Sequence, residues 1–140
     1  MAYTSPMNRP LWLLFFAWVV ALVATLGSLY YSEVRLFLPC ELCWYQRIFM
    51  YPQALILFLA LWRSDYGVWP YSLALSLVGG GISLLHLAEQ RLPGFAPVAC
   101  KPPVPCSVEY IPQFPIPLQA LIAFTLIALS MLLLRRELRR

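Results

Sequence analysis

The chain has 140 residues, of which 61% are hydrophobic and only 11% charged, whereas a soluble domain carries roughly 25% charged residues. This composition excludes an ordinary water-soluble globule, and the length allows one integral membrane domain, residues 1–140, without a separate catalytic domain. The formal net charge of +4 points to nucleic acid or to a membrane surface, depending on where the basic residues lie.

Four apolar segments, each long enough to cross a hydrocarbon core of roughly 30 Å as a helix, follow one another along the chain. They span residues 11–31, 44–62, 68–87 and 117–134. The first is too long for the core of a signal peptide, and the second contains Pro52, which is expected to kink rather than end the helix. The third carries Gly79, Gly80 and Gly81, which allow close helix approach. The sequence therefore predicts an all-α membrane protein, a bundle of four transmembrane helices.

The distribution of arginine predicts which side of the membrane each loop faces. Four crossings place both termini on one side, and that side carries Arg9, Arg63, Arg135, Arg136, Arg139 and Arg140. With its two acidic residues counted, this side carries the whole net charge of +4, so the positive-inside rule predicts that both termini are cytoplasmic. The basic residues then face anionic lipid, and no nucleic acid is expected as a partner.

All four cysteines lie in the two predicted extracytoplasmic loops, residues 32–43 and 88–116. Cys40 and Cys43 form a C-x-x-C motif before the second helix, where this spacing brings both thiols to one face of the first turn and unsatisfied backbone N–H groups favour a thiolate. Cys100 and Cys106 enclose five mostly proline residues, which suits a small exposed disulfide. Two pairs on the oxidising face predict exchangeable dithiols.

Polar residues near the outer ends of the second and third helices are candidate contacts for an electron acceptor. Arg47 projects one turn deeper than Cys43 from the same face, where its charge would stabilise a thiolate and hold a polar acceptor. His86 lies within about one turn of the same boundary and is expected to share this pocket, and Gln46 and Glu89 are further candidates. The alternatives are a snorkelling Arg47 and a His86 that only packs.

Two other interpretations of the cysteines stay open. In the first interpretation, both pairs are structural disulfides on an extracytoplasmic surface, although such small rings remove little chain entropy. In the second interpretation, the four cysteines bind zinc or an iron–sulfur cluster, although the second spacing is wide and filled with proline; we expect no metal.

If both pairs are redox-active, electrons pass from Cys100–Cys106 to Cys40–Cys43 by thiol–disulfide exchange. They then leave to a small redox molecule in the bilayer, since no haem or nucleotide motif continues the relay.

The segment Pro-Cys-Glu-Leu-Cys-Trp-Tyr-Gln-Arg at residues 39–47, with a second cysteine pair before the last helix, resembles the DsbB/BdbC family of bacterial disulfide-formation membrane proteins. The resemblance covers essentially the whole chain and is greater to the compact BdbC branch of Gram-positive bacteria. It implies a multi-pass protein of the bacterial cell membrane with extracytoplasmic cysteines. Such a protein reoxidises a soluble or membrane-tethered thioredoxin-fold thiol oxidase of the DsbA/BdbD type and passes the electrons to menaquinone or ubiquinone.

The resemblance also implies a role for individual residues. The pair Cys40–Cys43 would reduce the quinone, with Cys43 forming the charge-transfer or covalent adduct, and Arg47 would contact the quinone. The pair Cys100–Cys106 would exchange with the soluble partner. The spacing of this second pair is shorter than in other members, so the order of exchange between the pairs stays open.

Overall fold

The computed structural model describes residues 8–39, 41–92, 111 and 113–140. Within these ranges the chain forms four long α-helices and one single-turn 3₁₀ helix, which precedes the third of them. The helices are α1 (Arg9–Glu33), α2 (Glu41–Arg63), α3 (Trp69–Arg91) and α4 (Ile116–Leu138). The prediction of an all-α fold with four helices is confirmed for the part of the chain that the structure describes.

Each helix is longer than the apolar segment that predicts it, because hydropathy marks only the apolar part of a helix. α2 begins at Glu41 instead of residue 44, and α3 ends at Arg91 instead of residue 87. The segments between helices are correspondingly shorter than the predicted loops. As a result Cys43 and Glu89, which the sequence assigns to those loops, lie on helices.

The helices follow one another around the bundle in chain order, and α4 packs against α1 to close the ring. α1 and α2 run antiparallel, as two contacts show. Tyr51 of α2 donates a hydrogen bond to the hydroxyl of Ser28 in the later turns of α1, whereas Phe58, further along α2, packs on Trp18, further back along α1. The ends of α1 and the beginnings of α2 and α4 therefore meet at one end of the bundle.

The glycine triplet of α3 sets the distance between α3 and α4. Gly79 is buried, and the ring of Phe124 in α4 lies where a Cβ of this residue would be placed. A Cβ added to Gly80 would lie 3.5 Å from the Cβ of Phe124, and a Cβ added to Gly81 would have no atom within 4 Å. The predicted close approach is therefore confirmed at Gly79, whereas Gly81 faces away from the neighbouring helices.

Three helical segments of the described chain are long and apolar enough to cross a membrane. They are Arg9–Glu33, Tyr66–Arg91 and Ile116–Leu138. α2 differs because Gln46, Arg47 and Gln53 lower its hydropathy. α2 also continues through Pro52 without ending, as predicted.

The polar residues of α2 face the interior of the bundle. Gln53 is fully buried, and its Oε1 accepts hydrogen bonds from the hydroxyls of Ser72 at 2.8 Å and Ser76 at 3.1 Å, both on α3. Its Nε2 donates to the carbonyl oxygen of Phe49, one turn earlier. Between its charged ends, Glu41 and Arg63, the exposed residues of α2 are aromatic or apolar, including Ile48, so this part of the helix presents a hydrocarbon-compatible surface.

Candidate redox site at the start of α2

The first turn of α2 carries Cys43, the only cysteine among the described residues. Because α2 starts at Glu41, Cys43 lies among backbone N–H groups that have no partner inside the helix. Its side chain is partly buried. Cys40, Cys100 and Cys106 lie outside the described residues. The structure therefore places Cys43 inside the first turn of α2 and not in the loop before it.

The guanidinium group of Arg47, one turn after Cys43, is held against α1. Its Nη2 donates to the carbonyl oxygen of Ser28 at 3.2 Å and to the hydroxyl of Ser32 at 2.8 Å. The guanidinium carbon lies 5.0 Å from the ring centre of Trp44, which is within cation–π distance. Arg47 is partly buried, and its guanidinium group contacts the last turns of α1.

A cavity of about 550 Å³ lies between α1, α2 and α4. Most of its wall is apolar and comes from valine, alanine and isoleucine side chains of α1 and α4. The polar side chains that line it are Ser28, Tyr31, Gln46, Arg47, Tyr51 and Gln119. They come from the last turns of α1, the first three turns of α2 and the first turn of α4, so they gather at the end of the bundle where Cys43 lies. This composition suits a molecule with a polar ring and an apolar tail.

A hydrogen-bonded bridge joins α1 to α4 at the polar end of this cavity. The hydroxyl of Tyr31 donates to Oε1 of Gln119 at 2.9 Å, and Nε2 of Gln119 donates to the carbonyl oxygen of Phe114 at 2.9 Å. The ring of Tyr31 also stacks on Phe37, with 5.9 Å between ring centres. Phe37 lies in the connection between α1 and α2, so the bridge is also in contact with this connection.

His86 of α3 supports α2 from the side opposite the cavity. Its Nδ1 lies 2.9 Å from Nε2 of Gln46, in a buried contact. The other ring nitrogen, Nε2, lies 3.4 Å from the side-chain amide nitrogen of Gln90. His86 is 2% exposed. Gln46 therefore lines the cavity on one side and bonds to His86 on the other.

Residues 8–131 match the family described as disulfide bond formation protein DsbB. The chain belongs to the DsbB family. The match covers α1 to α3 and most of α4, so the predicted family membership is confirmed over the fold that forms the site.

Several members of the family are close relatives of this chain. Disulfide bond formation protein C of Bacillus subtilis (strain 168) is 52% identical over 128 residues, which are 89% of this chain and 93% of the relative. Probable disulfide formation protein C 1 of Bacillus cereus (strain ATCC 10987) is 51% identical over 120 residues, 82% of this chain and 86% of the relative. Probable disulfide formation protein C of Halalkalibacterium halodurans is 48% identical over 126 residues, 86% of this chain and 91% of the relative. No solved protein structure matches the chain.

The structure brings only some of the predicted site residues together. Gln46 and Arg47 line the cavity, and Cys43 lies one turn earlier on the same helix. His86 reaches the cavity only through Gln46, which differs from the shared pocket expected from helix counting. Glu89 does not line the cavity either, and its buried Oε2 has no hydrogen-bond partner among the described residues.

Four polar residues that line the cavity were not predicted from the sequence. Ser28, Tyr31 and Tyr51 lie inside apolar segments, where serine and tyrosine are common, and Gln119 lies at the start of the last helix. Their connection to Arg47 or to one another depends on helix packing, because Tyr31 and Gln119 are 88 residues apart. The one available signal is the position of Gln119, a polar residue at the outer end of an otherwise apolar helix.

Proposed function

We propose that this protein is a membrane thiol–disulfide oxidoreductase that passes electrons from extracytoplasmic protein thiols to a membrane quinone. The pair Cys100–Cys106 accepts the electrons from a soluble or tethered thioredoxin-fold thiol oxidase, and Cys40–Cys43 delivers them to menaquinone or ubiquinone. The reaction would support disulfide bond formation in secreted proteins. Membership in a family of disulfide bond formation proteins supports the thiol chemistry.

One observation supports the quinone as acceptor: the cavity that can hold it begins beside the reactive cysteine. Arg47 and Gln46 line the polar end of a largely apolar cavity of about 550 Å³, and Cys43 lies one turn earlier on the same helix. A quinone has a polar ring and an isoprenoid tail. The ring suits the polar end near Cys43, and the tail suits the valine- and alanine-rich walls of α1 and α4.

The reaction balances without a further reductant. Two thiols of Cys40 and Cys43 become one disulfide and release two electrons and two protons, and the quinone takes up both to become a hydroquinone. Arg47 would hold the quinone oxygen and stabilise the negative charge that develops there, since a fixed charge in a low-dielectric site acts more strongly than in water. The hydrogen bonds from Arg47 to Ser28 and Ser32 fix it for this role.

We further propose that all four helices cross the bacterial cell membrane, with both termini cytoplasmic and the cysteines extracytoplasmic. α2 has 23 residues, enough to span roughly 30 Å of hydrocarbon, and its buried glutamines are hydrogen-bonded inside the bundle. Arginines Arg9, Arg63 and Arg135 lie at the end of the bundle opposite Cys43, as the positive-inside rule requires of a cytoplasmic face.

The test is anaerobic quinone reduction by the purified protein in detergent, followed by quinone absorbance, with a reduced thioredoxin-fold dithiol protein as electron donor. We expect dithiol-dependent reduction by the natural protein and its loss in Cys43→Ser. Tyr45→Phe, an exposed change in the next turn of α2, is the control and should retain activity. Comparing menaquinone and ubiquinone analogues identifies the acceptor. A folded protein that reduces neither quinone would exclude the proposal.

A further inference from the structure

The polar end of the cavity offers hydrogen-bond donors from two different walls. On the α2 side these are Arg47 and Gln46, and on the α1–α4 side they are Tyr31 and Gln119. A 1,4-quinone carries two carbonyl oxygens at opposite edges of its ring. A ring that lies between the walls turns one oxygen toward α2 and the other toward α4, where Gln119 can donate to it.

The side-chain amide of Gln119 has two hydrogen-bonding partners and lines the cavity. Its Oε1 accepts the hydrogen bond from Tyr31, and one hydrogen of its NH₂ group goes to the carbonyl oxygen of Phe114, each at 2.9 Å. An amide NH₂ group has two hydrogens. Two fixed partners therefore hold the plane of the amide while the second hydrogen is available to a ligand in the cavity that Gln119 lines.

We propose that Gln119 is a quinone-binding residue that donates a hydrogen bond to the carbonyl oxygen turned toward α4, and that Tyr31 is a positioning residue that fixes its amide. This inference rests on the proposed function, because it names the quinone as the occupant of the cavity. It adds a second polar contact to the quinone. This contact comes from α4, which lies far along the chain from the C-x-x-C motif.

The variant Gln119→Glu keeps the contact with Tyr31 but removes both hydrogens of the amide, the one donated to Phe114 and the one proposed for the quinone. It keeps the oxygen that accepts from Tyr31 and replaces the NH₂ group with a second oxygen. We expect the KM for a short-chain menaquinone analogue to rise about tenfold, the effect of one lost hydrogen bond of about 1.4 kcal/mol, with kcat nearly unchanged. Gln119→Leu should raise KM by a similar factor without adding a charge. Gln113→Glu, an exposed change of the same charge, is the matched control and should keep the natural KM.

The variant Tyr31→Phe tests the positioning role. Loss of its hydroxyl should raise KM by a factor of about three. The effect is smaller than that of Gln119→Leu because an amide that is less firmly oriented loses only part of its hydrogen bond to the quinone. In the Gln119→Leu background the same change should have no further effect, since there is no amide left to position. Tyr30→Phe, a neighbouring and more exposed tyrosine, is the control. Independent effects of Tyr31→Phe and Gln119→Leu on KM would contradict the positioning role.

Binding of the same analogue, measured by quenching of tryptophan fluorescence, keeps this inference separate from the proposed function. If the natural protein binds the analogue but does not reduce it, the proposed function fails, and Gln119 is judged by the dissociation constant. If the protein reduces quinone and Gln119→Glu has the natural KM and dissociation constant, only the present inference fails. A protein that folds but does not bind the analogue overturns both. Thermal unfolding of each variant shows that it is folded, and a loss of stability with unchanged KM would assign Gln119 to the helix bridge alone.

Discussion

Hydrogen bonds to Ser28 and Ser32 hold the guanidinium group of Arg47 against α1. The planar guanidinium makes two hydrogen bonds and also contacts the ring of Trp44. A lysine could carry the charge but not this combination of contacts. The geometry of Arg47, and not only its charge, is therefore part of the proposed site.

We predict that Arg47→Lys raises the KM for quinone by about tenfold, equivalent to about 1.4 kcal/mol, because the ammonium group cannot keep both serine contacts and reach a quinone oxygen. Steady-state quinone reduction measures the effect. Arg35→Lys is the control, since Arg35 also lies over an aromatic ring, at 5.5 Å from Phe37, but does not line the cavity. Equal KM values for Arg47→Lys and the natural protein would show that charge alone suffices.

His86 and Gln46 form a buried pair whose loss is predicted to affect stability. His86→Leu leaves the Gln46 amide without its 2.9 Å partner, and an unsatisfied buried polar group costs about 1–3 kcal/mol. The free energy of unfolding, measured by denaturant titration in detergent, should fall by this amount. The double variant His86→Leu, Gln46→Leu should lose less than the sum of the two single changes. Additive losses would show that the two side chains do not interact.

At the scale of single residues, the sequence predicted what is local and missed what depends on packing. Cys43 and Arg47 were predicted as candidate site residues because their spacing of four residues places them on one helix face. Ser28 was not predicted as a site residue, because its contact with Arg47 joins two helices. The interpretation of His86 was incomplete, since helix counting gives depth in the membrane but not which side of a neighbouring helix a ring contacts.

At the scale of helices, α2 and α3 direct polar side chains toward each other. The glutamines of α2 point inward to α3, where Gln53 binds the hydroxyls of Ser72 and Ser76 and Gln46 binds His86. Each buried amide thus has partners, as a low-dielectric interior requires. A hydropathy average counts these residues as if they faced lipid, so it ranks α2 below the other helices even though its exposed residues between Glu41 and Arg63 are aromatic or apolar.

The glycines of α3 give a prediction for packing between helices. Gly79→Ala would place a methyl group in the ring of Phe124, and overpacking of this kind costs about 1–3 kcal/mol. Gly81→Ala meets no atom within 4 Å and should stabilise the helix by about 0.5–1 kcal/mol, because alanine is the better helix former. The midpoints of thermal unfolding should therefore move in opposite directions. A shift of the same sign in both variants would argue against this packing.

For the whole molecule, the number of crossings decides which side each connection faces. In a chain with its four natural cysteines changed to serine, Leu36→Cys marks the turn before α2 and Asp65→Cys marks the turn after it. Four crossings predict that a membrane-impermeant maleimide labels Leu36→Cys in intact cells and labels Asp65→Cys only after permeabilisation. Leu138→Cys should behave like Asp65→Cys, since both lie on the predicted cytoplasmic side. Labelling of Leu36→Cys and Asp65→Cys from the same side would show that α2 does not cross.

The overall fold was more predictable than the cavity inside it. Apolar segments of membrane-spanning length indicate helices directly, and short connections make neighbours in sequence neighbours in space. The contact between α1 and α4 follows from closing the ring, but the sequence does not show which side chains meet there. The bridge from Tyr31 to Gln119 is set by the rotation of both helices, which no local pattern records.

The cavity has its two apolar walls on the first and last helices of the chain. During synthesis α1 enters the membrane long before α4 has been made, so the cavity cannot exist until the final helix has inserted and docked. The C-x-x-C motif at the start of α2 is already translated by then, but its proposed acceptor site is still open to lipid on one side. The proposed electron transfer would therefore require α4 to be in place, and a protein in which α4 has not docked would hold its thiols without an outlet for their electrons.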